Sequence, residues 1–103
     1  MHESIDRRRV DLAAICRRYG VRRLEVFGSA ARGSDFDPNA SDVDFLVEFE
    51  TEDDHDPLEQ FFGLSESLKR LLGRPVDLVE RDAVVNPFLL ASIDEARELV
   101  YEA

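Results

Sequence analysis

The chain has 103 residues, 44% of them hydrophobic, and carries 23 acidic against 13 basic side chains for a net charge of −10. That length can bury one core, which leaves no room for a second domain, so residues 1–103 are expected to form one unit. The acidic balance argues against free nucleic acid as a main partner, since duplex binding draws on a basic surface, and no apolar run approaches the roughly 18 residues of a membrane span.

Charge is divided unevenly. Residues 1–32 hold eight Arg against four acids, a net of +4, while residues 33–103 hold five bases against nineteen acids, a net of −14. No charged-then-apolar leader opens the chain, and the lone Cys16 has no partner for an internal disulfide. A cytoplasmic protein is expected.

The elements read in an α/β order. A helix is predicted from about Ser4 to Tyr19, with Ile5, Leu12, Cys16 and Tyr19 recurring on one side and Gly20 as its stop. Arg7, Arg8, Arg9, Arg17 and Arg18 then line its exposed side; a second reading has some of them meeting a partner or phosphates. Val21 to Phe27 reads as the first strand, followed by a short helix from Ser29 to Arg32 and a polar loop from Gly33 to Ala40. The central strand runs from Asp42 to Phe49. Seven acids and no Lys or Arg lie between Glu48 and Glu59. They read either as a solvated loop or as a docking surface for a basic partner.

Asp56-Pro57 starts a second long helix, which Gly73 ends, with Leu58, Phe61, Phe62, Leu68, Leu71 and Leu72 able to face a core. Val76 to Glu80 is the third strand, and Pro87 opens a helix through about Ala96. Glu98 to Tyr101 reads equally as a last short strand or the tail of that helix.

Three acids stand out in this frame. Successive residues of a strand point to opposite faces, so Asp42 and Asp44 share one face, about 7 Å apart. Two carboxylates held that way are best tolerated where divalent cations neutralise them, and hard cations such as Mg2+ prefer oxygen ligands. Asp77 lies inside the third strand, and if that strand lies beside the second, the three acids converge. Gly28-Ser29 closes the first strand, where free N–H groups at a helix start and a neighbouring hydroxyl suit phosphate.

Two other motifs fail on their own terms. Gly28 to Gly33 opens like a P-loop, but Ser34 stands where the phosphate-binding Lys is required. The stretch from Asp35 to Leu46 begins like a calcium loop, but Ala40 replaces the obligatory Gly and Leu46 the bidentate Glu.

Taken together, GSAARG at 28–33, SDVDFLVEF at 41–49 and PVDLVERD at 75–82 resemble the nucleotidyltransferase superfamily that includes DNA polymerase beta. The chain is most similar to the minimal nucleotidyltransferases that act as antitoxins in HEPN–MNT toxin–antitoxin pairs, and the resemblance extends through Asn86-Pro87-Phe88. It implies a small α/β domain with a mixed sheet flanked by helices. It also implies that Asp42, Asp44 and Asp77 hold two Mg2+ ions, that Gly28 and Ser29 bind the terminal phosphates of ATP, and that Arg32 adds charge there or braces the turn. The implied reaction is AMP transfer to a protein hydroxyl, a tyrosine of a cognate HEPN toxin. A competing account is an antitoxin that masks its partner sterically with a non-catalytic metal site. A third, an enzyme acting on a small molecule, is weakened by the lack of an acceptor-gripping domain.

Overall fold

The computed structural model describes residues 3–28, 31, 42–50, 56–95 and 97–103. Helices α1 (Glu3–Asp6) and α2 (Arg9–Arg18) lead into strand β1 (Val21–Phe27). Strand β2 (Val43–Phe49), helix α3 (Pro57–Leu72) and strand β3 (Val76–Glu80) then form a β-α-β unit. A 3-10 turn (Arg81–Ala83), helix α4 (Pro87–Glu95) and strand β4 (Arg97–Glu102) complete the order. The predicted 29–32 helix and 33–40 loop lie outside the described residues, apart from Ala31, which is helical and buried.

The sheet has the order β3-β2-β1-β4. β1 is antiparallel to both β2 and β4, whereas β2 and β3 run parallel, as a crossover through a helix requires. One face of the sheet carries Leu24, Val26, Val43, Phe45, Val47, Val76 and Leu78, which pack with Ile5, Leu12 and Cys16 of the first helices and Leu64 and Leu68 of α3. On the other face Phe27, Leu46 and Ile93 form a smaller cluster with Val79 and Val84. Cys16 is buried in the main core, and that burial pushes its thiol up to about 12, so it stays a neutral packing group. Among the described residues no helix is long and apolar enough to cross a membrane.

The expected N-terminal helix is two pieces. At the junction the pitch tightens, because Arg8 N–H bonds only three residues back, to Ile5 O at 3.0 Å, and Arg9 Nε bonds Asp6 Oδ1 at 2.6 Å. Ile5 and Leu12 are both fully buried across the break, and the five arginines are exposed as expected. The ambiguous C-terminal segment is a strand, and it pairs with β1.

Helix α3 begins and ends where its local signals place it. Asp56 caps it by accepting from Leu58 N at 2.9 Å and Glu59 N at 3.4 Å, Pro57 follows, and Gly73 stops it. Its expected apolar face needs correction: Leu58 and Phe62 are 70% and 61% exposed, while Leu64, Leu68 and Gln60 are buried. With 3.6 residues per turn, Leu58 and Phe62 stand about 120–160° round the helix from Leu64, too far to join the same face. Gln60 is buried because its Nε2 donates to Tyr19 O at 2.7 Å, satisfying a carbonyl at the end of α2.

The α2 and α3 contact depends on Gly63. A Cβ there would lie 2.6 Å from Tyr19 Cε1, and the ring cannot retreat freely because Ser67 Oγ donates to its hydroxyl at 3.2 Å. Gly63→Ala is therefore expected to lower stability by about 1–3 kcal/mol, the usual cost of overpacking, as read by urea denaturation at unchanged m-value.

Candidate active site

The register of the sheet assembles a row of side chains. Asp44 of β2 is paired with Asp77 of the parallel neighbour β3 and with Phe27 of the antiparallel neighbour β1. Paired residues of adjacent strands point to the same face, so Asp44 and Asp77 stand side by side at the strand spacing of about 4.8 Å. Asp42, two residues before Asp44, shares that face. The three predicted acids are thus brought to one side of the sheet, opposite the helices of the main core.

Local sequence explains why this is possible. Val43, Phe45 and Val47 bury themselves against the helices, and that turns every alternate residue of β2 the other way. Val76 and Leu78 do the same for β3 and turn Asp77 outward beside Asp44. Beside the acids, on the same face, the cluster of Phe27, Leu46 and Ile93 supplies an apolar, low-dielectric flank.

Gly28 closes the site from the side of β1. Its φ is +71°, a conformation that side chains other than glycine rarely adopt, and a Cβ would lie 2.8 Å from Asp44 Oδ2. The chain can turn this tightly against a carboxylate only where there is no side chain. Ala31 N–H donates back to Gly28 O at 3.1 Å, closing the turn. Ser29 and Arg32, the other predicted phosphate ligands, lie outside the described residues.

Electrostatics single out the central acid. Asp44 is half-buried, and its pKa rises from 3.8 to about 6, first by burial and then by the charges of Asp77 and Asp42. An oxygen-only group of mutually repelling carboxylates is the donor set a hard divalent cation fits. As they stand, no three acidic, histidine or cysteine side chains among the described residues close round a single point. Like charges have no reason to draw together without a cation between them.

A network absent from the sequence reading occupies the same face. Glu25, paired in register with Leu46, is only 7% exposed and meets Arg23 Nε at 3.3 Å and Arg97 Nε at 3.6 Å. Arg23 Nε is buried and lacks hydrogen-bond alignment to the carboxylate, so that contact is an ion pair by proximity alone. Arg97 also meets Asp94 of α4 at 3.2 Å and is paired with Phe27, which places it in the same row as the aspartates. The signal in the sequence was a Glu inside an apolar strand, but its cationic partners lie 2 and 72 positions away along the chain.

The nucleotidyltransferase domain family matches residues 9–100. Protein adenylyltransferase MntA of Thermococcus cleftensis is 40% identical over 84 residues, which cover 82% of this chain and 77% of that protein. A solved structure assigned as a minimal nucleotidyltransferase is similar with a TM-score of 0.74, 33% identity and 95% coverage of both chains. A chain from the complex of tri-AMPylated Shewanella oneidensis HEPN toxin with MNT antitoxin shares the fold at a TM-score of 0.65 and 17% identity, covering 96% of this chain and 73% of that one.

The raised Asp44 pKa fixes a direction for the metal-free protein. Between about pH 4 and 6 the folded chain still holds a proton that the unfolded chain has lost, so stability falls as pH rises through that window. Carboxyl-carbon NMR should place the Asp44 midpoint near 6, and Asp77→Asn should move it down and flatten the fall in urea midpoint.

Proposed function

Because the chain belongs to the nucleotidyltransferase domain family, we propose that it transfers AMP from ATP to a hydroxyl of a partner protein, a tyrosine of a HEPN-type toxin, and so acts as an antitoxin. The observation that carries this reading is the alignment of Asp44 with Asp77 across the parallel strands, with Gly28 against the Asp44 carboxylate. The kinship with a protein adenylyltransferase supports protein as the acceptor, and the fold shared with a chain of an AMPylated toxin complex is consistent with it.

In this reading Asp42, Asp44 and Asp77 hold Mg2+, two ions in all. Bound there, the metal would supply charge to neutralise the phosphates and to lower the pKa of the acceptor hydroxyl. Asp77 is exposed at the outer side of the row, where an acceptor can approach, and its carboxylate takes the hydroxyl proton. The hydroxyl oxygen bonds to the α-phosphorus of ATP, the bond from that phosphorus to the β-phosphate oxygen breaks, and pyrophosphate leaves. Gly28, Ser29 and Arg32 hold the phosphates through backbone N–H, hydroxyl and guanidinium donors. Residues 1–103 act as one domain, and the buried free thiol of Cys16 suits the cytoplasm.

The test is intact-mass spectrometry of the product of the adjacent reading frame after incubation with this protein, ATP and Mg2+. A gain of one or more AMP units is expected, and Asp42→Asn with Asp44→Asn should slow it at least about a hundredfold. A stable complex with no mass gain would instead establish steric masking.

A further inference from the structure

Helix α3 and the outer edge of β3 enclose an open groove of about 460 Å³, lined chiefly by Leu58, Phe61, Phe62, Leu78, Val79 and Glu80. We propose that this groove is the surface on which the acceptor protein docks, and that it takes an apolar segment flanked by lysine or arginine. The proposal rests on the protein-acceptor reading above and adds to it a place and a chemistry.

Two large side chains are displayed here without a core to enter. Leu58 and Phe62 are one helical turn apart on the outer side of α3, at 70% and 61% exposure. Phe62 is held edge-on to Phe61, with ring centroids 5.5 Å apart and planes at 90°. An anchored aromatic beside a groove is the kind of feature that dominates binding energy at interfaces.

The strand beside them is also unfinished. Among the described residues no strand pairs with the outer edge of β3. Val43 N–H bonds to Pro75 O, so on the parallel ladder alternate residues from 75 face β2, and Leu78 and Glu80 turn their backbone groups outward. Protein edges are normally covered or heavily charged, and among the described residues this edge runs beside apolar side chains.

Charge selects the occupant. Exposed Asp56, Glu59 and Glu66 lie on α3 or at its cap, and exposed Glu80 and Asp82 lie on the β3 side. Arg81 is a base beside them on the β3 side, and Lys69 and Arg70 stand about two turns beyond Phe62 along α3. A second copy of this chain would set one acidic rim against another, whereas a basic-flanked segment meets complementary charge. Position fits as well, since Glu80 is three residues from Asp77, about 10 Å along the strand. One docked protein can fill the groove and still present a hydroxyl to the aspartates.

The experiment is isothermal titration, without nucleotide, of the full chain against the product of the adjacent reading frame. Phe62→Asp and the milder Leu58→Gln should each weaken binding, the former at least about tenfold, with thermal melts unchanged because both side chains are exposed. Glu59→Lys with Glu80→Lys should weaken it too and reduce its salt dependence. Val10→Asp, an exposed apolar position on α2, should leave it unchanged. Wild-type affinity in Phe62→Asp overturns the proposal, as does failure of the wild type to bind. So does a self-associated wild type, in sedimentation of the chain alone, that Phe62→Asp dissociates. A complex that Phe62→Asp abolishes but that gains no AMP keeps the docking site and removes the transfer reading; AMP transfer at unchanged KM in Phe62→Asp does the reverse.

Discussion

The parallel pairing of β2 with β3 is the constraint on which the site depends. Its register is held from the other side of the sheet, where Val43, Phe45 and Val47 lie beside Val76 and Leu78 against the helices. Slipping either strand by one residue would turn its carboxylates into that core and its valines into water. An ionised carboxylate buried without a partner is far more costly than a lost apolar contact, so the correct register is favoured twice over. The aspartates do not hold themselves together. The hydrophobic face places them, and their own electrostatics oppose the placement.

That opposition is concentrated on Asp44. Its neighbours in the row are another carboxylate on one side and Phe27 on the other, with Gly28 pressed against its Oδ2. Water therefore reaches this carboxylate poorly, and burial is the larger cause of its raised pKa. Asp42 and Asp77, both exposed, act on it mainly as fixed charges. Glu25 is more deeply buried and finds a different solution, since Arg23 and Arg97 neutralise it within the same face. Among the described residues no such cation answers Asp44, which marks it as the candidate functional carboxylate of the pair.

Local signals were legible where a single residue decides the outcome. The ends of α3 follow from Asp56-Pro57 and Gly73, and the strand alternation of β2 followed from Val43, Phe45 and Val47. The aspartate row needed only one further fact, that the third strand lies beside the second. Sheet order beyond that was not legible, because nothing in Glu98 to Tyr101 says which strand it will pair with, and it closes the far edge against β1. The outward turn of Leu58 and Phe62 was missed for a related reason. Hydrophobicity alone ranks them with Phe61 and Leu68, and only the angle at which α3 meets the sheet, with Gln60 drawn inward by the Tyr19 carbonyl, decides which stripe is buried.

The acidity of the chain ties nucleotide and partner together. A triphosphate approaching Asp42, Asp44 and Asp77 meets like charge, on a protein with a net charge of −10. Under the proposed function the phosphates can settle there only with cations that outweigh the carboxylates, because a bound divalent ion is the largest local charge in such a site. The same field has the opposite sign of effect on a basic protein surface, which it draws in from beyond contact distance. On the proposed function the two substrates would therefore be distinguished before either touches the site. Under that reading an acidic body draws a basic partner toward it by charge, and repels the nucleotide unless cations accompany it.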